Sequence, residues 1–142
     1  LEKVREKFPE KKYILFESKE VLQFCTNENI QKIEGNFFEN IPVKSVAIIL
    51  ARILHDWDDD LAQKILVNCY SALNYNGNLF IIENCKDLID EDLSLLSLNM
   101  KIMCNSYERS SNEYICLAQK ANFIYESNIK LNHLQIILKF KK

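Results

Sequence analysis

Ile53-Leu54-His55-Asp56-Trp57-Asp58-Asp59-Asp60, the helix-spaced apolar residues that follow, then Asn76-Gly77 and Leu79-Phe80-Ile81-Ile82-Glu83 form the stretch on which the fold turns. It follows Ser45-Val46-Ala47-Ile48-Ile49-Leu50, a continuous apolar run rich in β-branched residues that reads as a strand. Asp58 to Asp60 place hydrogen-bond acceptors and negative charge where a helix begins. Leu61, Ile65, Leu66, Cys69, Ala72 and Leu73 recur at helical spacing as its buried stripe. Asn76-Gly77 ends that helix, and Leu79 to Ile82 is the next strand. His55 and Glu83 are thus delivered to one edge of an α/β sheet, the carboxyl edge where such folds build their sites.

Moving outward, Leu1 to Phe8 is amphipathic and stops at Pro9, so it predicts a helix end. Tyr13-Ile14-Leu15-Phe16, closed by Glu17, suits a strand buried on both faces. Lys19 to Cys25 predicts a short helix, and Ile30 to Ile33 a second strand ahead of Gly35-Asn36-Phe37-Phe38. Toward the other end, Asp92 to Met103 suits a helix. Ser110-x-x-Glu113 is a capping box opening a helix to about Ala121. Phe123 to Lys130 and Leu134 to Phe140 read as strands paired across Asn132-His133. Strands alternating with helices indicate a mainly parallel sheet with an antiparallel pair at its end. One domain, or one piece of one, spans 1–142.

The composition narrows the function classes. A net charge of −2 over 142 residues leaves no electrostatic footprint for nucleic acid or an anionic membrane. The lysines at both ends read as solvated surface. No apolar run approaches the roughly 20 residues of a membrane span, and the first residues do not form a signal peptide. Five cysteines without a C-x-x-C pair, and only two histidines, lack zinc spacing, so no metal is expected. Reduced, mostly packed thiols in a cytoplasmic protein are the expectation. The absence of an initiator Met points to a processed or excised chain.

His55, between a strand end and a helix start, can titrate near neutrality and take a proton from a bound hydroxyl. Glu83 could hold its imidazole in one tautomer. A helix-start histidine with no role would look the same. Trp57, the only tryptophan, could offer a flat face to a planar ligand, or simply pack. Glu17 ends the first strand, where a carboxylate can accept from ribose hydroxyls, although many strands end in one.

Taken in order, Gly35-Asn36-Phe37-Phe38-Glu39, Ile53-Leu54-His55-Asp56-Trp57, Asn76-Gly77, Glu83, Met100, Glu108-Arg109-Ser110 and Ala121-Asn122-Phe123 resemble the plant-caffeate and hydroxyindole type of S-adenosylmethionine-dependent O-methyltransferases. The resemblance runs from Phe8 onward and covers less than half of a typical member. It implies an α/β, Rossmann-like class I methyltransferase sheet with an antiparallel C-terminal strand pair. It makes His55 the general base, flanked by Glu83 and Glu108. Glu17 would hold the ribose, Asn36 and Phe37 would lie at the adenine with Trp57, and Met100 and Met103 would line the acceptor pocket. This chain has Glu17 and Asn36 where the family usually has aspartates, and Asn122 where it has glycine. The implied substrates are S-adenosylmethionine and a small aromatic hydroxyl.

Members of that family carry a helical dimerisation region and a first strand with a Gly-x-Gly-x-Gly loop ahead of the matching region. With two glycines, both in turns, this sequence contains neither. The resemblance places the missing strand between those ending at Glu17 and Leu50. Leaving their edges bare costs on the order of 1–3 kcal/mol per buried unpaired backbone group. The expectation is another protein chain carrying the glycine-rich loop and helical region, with this chain as the C-terminal component of a multi-chain enzyme. A non-catalytic subunit serving as an interaction or scaffold partner is the alternative. Retention of His55, Glu83, Glu108 and Trp57 together argues against it, and intact apolar patterning to Phe140 argues against a degenerate reading frame.

Overall fold

The computed structural model describes residues 1–88 and 108–142. The expected helix from Asp92 to Met103, with both pocket methionines, lies outside the described residues. The chain divides into two compact units, Leu1–Ile41 and Pro42–Lys142.

In the first unit, helix α1 (Glu2–Lys7) precedes strand β1 (Ile14–Glu17), a single helical turn α2 (Lys19–Leu22) and strand β2 (Gln31–Glu34). β1 and β2 run parallel, with Glu17 opposite Glu34. Every residue of β1 is half-buried, so it is less enclosed than its continuous apolar run implies. α2 stops at Leu22 rather than Cys25. Gly35 follows β2 beside the Phe16 ring, and a side chain there would collide with that ring.

The second unit is a four-stranded mixed sheet in the order β3 (Ser45–Ala51), β4 (Leu73–Asn84), β6 (Gln135–Lys141), β5 (Ile124–Lys130). β3 and β4 are parallel, and β6 is antiparallel to both of its neighbours. Helix α3 (Asp59–Ala72) makes the β3–β4 crossover, and α4 (Ser111–Lys120) leads into β5. Asp58 caps α3 by accepting the N–H of Leu61 at 2.9 Å. The buried stripe of α3 is Ala62, Ile65, Leu66, Cys69 and Ala72. Leu61 is exposed because it sits in the first turn, one position off that face. α3 ends at Ala72, before Asn76-Gly77, and β4 begins at once. Asn76 takes a left-handed φ of 61° within an irregularity of the β3–β4 register. A Cβ on Gly77 would lie 2.9 Å from the main-chain oxygen of Asn74, which explains glycine there.

Ser110 and Glu113 form the capping box of α4 in full. The β5–β6 hairpin closes through Asn132, whose Oδ1 accepts the N–H groups of Leu134 and Gln135, both at 2.8 Å. The two chain segments that border residues 89–107 are tied together. Lys86 N–H donates to the Arg109 carbonyl at 3.1 Å, and Ser111 N–H to Asp87 Oδ2 at 2.8 Å.

Among the described residues β1 pairs with β2 alone and β3 with β4 alone. One edge of each therefore has no strand beside it. On β3, Val46 and Ile49 are 69% and 41% exposed, an unusual state for a β-branched strand that central sheets bury. No helix among the described residues is long and apolar enough to cross a membrane.

Candidate active site

β4 alternates on its buried face Leu79, Ile81 and Glu83, all fully buried, so a carboxylate occupies the next position of an apolar row. Register places Ile82 opposite Ala51, and Glu83 comes one step beyond the end of β3. There its Oε1 accepts the main-chain N–H groups of Ile53 at 3.0 Å and Leu54 at 2.8 Å. Burial pushes its pKa up to about 7 despite those amides and the nearby Arg52.

His55 lies in the short turn Leu54–Asp56 between β3 and α3, and is 8% exposed. Nε2 is 3.3 Å from Asp56 Oδ1, and Nδ1 is 3.9 Å from Glu108 Oε1. Burial and the Arg52 charge lower its pKa, against the opposing pull of Asp56 and Glu108. The imidazole is thereby held in the neutral, proton-accepting form at pH 7. Glu83 reaches the main chain of the His55 turn rather than the ring, so the carboxylate nearest the imidazole is Glu108.

Glu108 is 1% exposed. Its Oε1 accepts from Asn84 Nδ2 at 3.2 Å and pairs with Arg52 Nη1 at 3.3 Å. Arg52 Nη1 also lies 3.9 Å from Glu83 Oε2. Arg52 thus stands between the two buried carboxylates, with its own backbone left-handed at φ 57°. That conformation costs a non-glycine residue on the order of 1 kcal/mol and tends to mark functional positions. Sequence reasoning passed over Arg52; its place three residues before His55, at a strand end, was the available signal. It also gave no role to Arg109, whose buried guanidinium donates to the carbonyls of Leu54 and Trp57, each at 2.8 Å.

Three buried acceptor or donor atoms at this site have no hydrogen-bond partner among the described residues: His55 Nδ1, Glu83 Oε2 and Glu108 Oε2. Unsatisfied buried polar atoms are rare unless a site uses them. Trp57 is half-buried beside this turn.

In the first unit, Glu17 ends β1, and Asn36 and Phe37 follow β2 at the carboxyl edge of the β1–β2 pair. Glu17 is half-buried, its Oε2 accepting the Ser18 N–H at 2.8 Å and its carbonyl accepting the Gly35 N–H at 3.1 Å. Asn36 Oδ1 accepts the Phe38 N–H at 2.9 Å, fixing a turn in which the Phe37 and Phe38 rings meet edge to face.

Residues 1–124 match the family model of the O-methyltransferase domain. The chain belongs to the O-methyltransferase family. Indole glucosinolate O-methyltransferase 5 of Arabidopsis thaliana is 35% identical over 131 residues, covering 84% of this chain and 35% of that protein. Human acetylserotonin O-methyltransferase is 32% identical over 116 residues, covering 78% of this chain and 33% of that protein. The chain therefore spans about a third of the length of these curated relatives. The crystal structure of human N-acetylserotonin methyltransferase in complex with SAM superposes with a TM-score of 0.83 at 28% identity. That match covers 97% of this O-methyltransferase chain and 42% of the human one. The fold is thus that of an α/β class I methyltransferase, with its antiparallel β5–β6 pair.

Proposed function

We propose that this O-methyltransferase chain supplies the catalytic base of S-adenosylmethionine-dependent methyl transfer to a small aromatic hydroxyl, with His55 in that role. The observation that carries the reading is a buried imidazole held neutral between two carboxylates, its Nδ1 facing Glu108. Nδ1 lies 3.9 Å from Glu108 Oε1, and closing that gap would place the ring proton on the Glu108 side and leave Nε2 to accept the hydroxyl proton as the acceptor oxygen attacks. The positive charge that then forms on the ring is stabilised by Glu108 and Asp56. Glu83 fixes the turn that carries the ring.

Glu17 would hold the ribose hydroxyls of the methyl donor, and Asn36, Phe37 and Trp57 its adenine. The bound donor supplies an electrophilic methyl on a sulfonium, so the protein's work is alignment and proton removal. Met100 and Met103 would line the acceptor pocket. The names of the relatives, indole glucosinolate and acetylserotonin methyltransferases, support an aromatic acceptor.

The methionine portion of the donor needs a glycine-rich loop, and neither glycine here has a positive φ. The bare edge of β1 in one unit and that of β3 in the other each support completion by a second chain that brings this loop, a further strand and the helical region. The free thiols of Cys25, Cys69, Cys85 and Cys116 fit a cytoplasmic setting. A stable monomer of this chain that binds S-adenosylmethionine with micromolar affinity would remove the second chain from the proposal.

The base is tested in the complemented protein with cofactor and a phenol. His55→Ala should lower turnover by roughly 100-fold or more, the range of a general base. The acid limb of the wild-type rate should lie below the ordinary histidine value of 6.5, because the pKa of His55 is lowered. Unchanged turnover in the alanine variant would take His55 out of the mechanism.

A further inference from the structure

Arg109 plays no part in the proton transfer above, yet it heads the large, fully buried side chains of the described residues. Burying a guanidinium is costly unless its donors are used. Nη1 donates to the Leu54 carbonyl at 2.8 Å, and Nη2 to the Trp57 carbonyl at 2.8 Å. Nη2 and Nε also reach Asp59 Oδ1 at 2.7 and 3.0 Å. The two carbonyls bracket His55, so the fork closes across the turn that presents the imidazole. The same turn is held from its amide side by Glu83, through Ile53 and Leu54.

Arg109 is also the immediate neighbour of Glu108. Consecutive Cα atoms are about 3.8 Å apart, so the carboxylate facing Nδ1 and the fork gripping the turn shift together. A pair made for stability alone would need only Asp59, whose side chain is 55% exposed. The bonds to the carbonyls of Leu54 and Trp57 satisfy the buried guanidinium and at the same time fix the main chain on either side of His55.

We propose that Arg109 is a positioning residue for His55, setting the register of the imidazole against Glu108 through the carbonyls on either side of it. The proposal rests on His55 as the base, and its test separates the two. Arg109→Lys keeps the charge and loses the fork, while Asp59→Asn keeps the carbonyl bonds and weakens the anchor of the fork. Both are made in the complemented protein.

In Arg109→Lys, kcat should fall 10- to 100-fold, the scale of a misplacement near 1 Å, with KM within about twofold. The acid limb should move up in pH as His55 gains solvent. The proton NMR titration of His55 should rise with it. Asp59→Asn should show the same changes at about threefold in kcat, and it decides the matter if the lysine variant does not fold. A variant with unmoved His55 titration and unchanged kcat per folded molecule overturns the proposal, whether or not it melts earlier. Should His55→Ala leave turnover intact, the NMR arm still decides what Arg109 positions.

Discussion

Replacing Glu83 by glutamine should make the protein more stable as the pH rises. Glu83 is fully buried, and its pKa stands at about 7 against the ordinary 4.5. Each tenfold displacement is worth about 1.4 kcal/mol, so the ionised carboxylate costs the folded state roughly 3 kcal/mol. A raised folded pKa means that the protonated group's contribution is full below 4.5 and is lost as pH climbs through 7. At pH 5 the wild type gives up about 1 kcal/mol, and at pH 8 about 3 kcal/mol. Glutamine keeps an oxygen for the Ile53 and Leu54 amides and cannot ionise. Its amide group facing Arg52 adds a pH-independent penalty of about 1 kcal/mol. The two proteins should therefore be close in stability at pH 5, with the variant ahead by about 2 kcal/mol at pH 8. Urea denaturation of both proteins at pH 5, 6, 7 and 8 gives the comparison directly. A difference that stays constant within about 0.5 kcal/mol across that range would refute the claim that burial penalises the Glu83 charge.

Two further substitutions probe the same neighbourhood. Arg52→Met leaves Glu83 and Glu108 without their shared cation; allowing for its partial exposure, it should cost about 1–2 kcal/mol at pH 8 and less at pH 5, read by the same denaturation. Ser110→Ala removes the capping box of α4 and should cost about 1 kcal/mol near neutrality. Burial works against the Glu113 charge, but Lys86 and the Ser110 bonds outweigh it and hold its pKa down to about 2. That contribution is present above 4.5 and lost as pH falls through 2, so the two melting temperatures should converge in strong acid.

The elements that local chemistry dictates were legible in the sequence. The capping box at Ser110, the Asp58 cap, the Asn132 hairpin and the β-branched run of β3 each carry a signal within a few residues, and each forms where it was expected. The end of α3 was misread because Asn76-Gly77 looks like a helix stop. The chain instead turns extended at Leu73, and the left-handed residue falls inside an irregular strand pairing. The site was half legible. His55 and Glu83 stand out as polar residues at strand ends, and the resemblance added Glu108. What joins them is non-local: Arg52 meets Glu108 across 56 positions, and Arg109 meets Leu54 across 55. No periodicity reports such contacts. Nor could pattern show that Glu83 spends its oxygen on main-chain amides instead of on the ring.

The ties between Lys86 and Arg109, and between Asp87 and Ser111, form a closed neck around residues 89–107. The ties are made by residues 86, 87, 109 and 111 alone, so they do not depend on how many residues lie between them. Insertions and deletions there would leave Glu108, Arg109 and the His55 turn in register. In evolutionary terms, the neck lets the segment that carries Met100 and Met103 drift in size and composition while the proton-accepting machinery stays fixed. Relatives that share this neck should therefore differ most in length between their counterparts of Leu88 and Glu108, and least on either side of it.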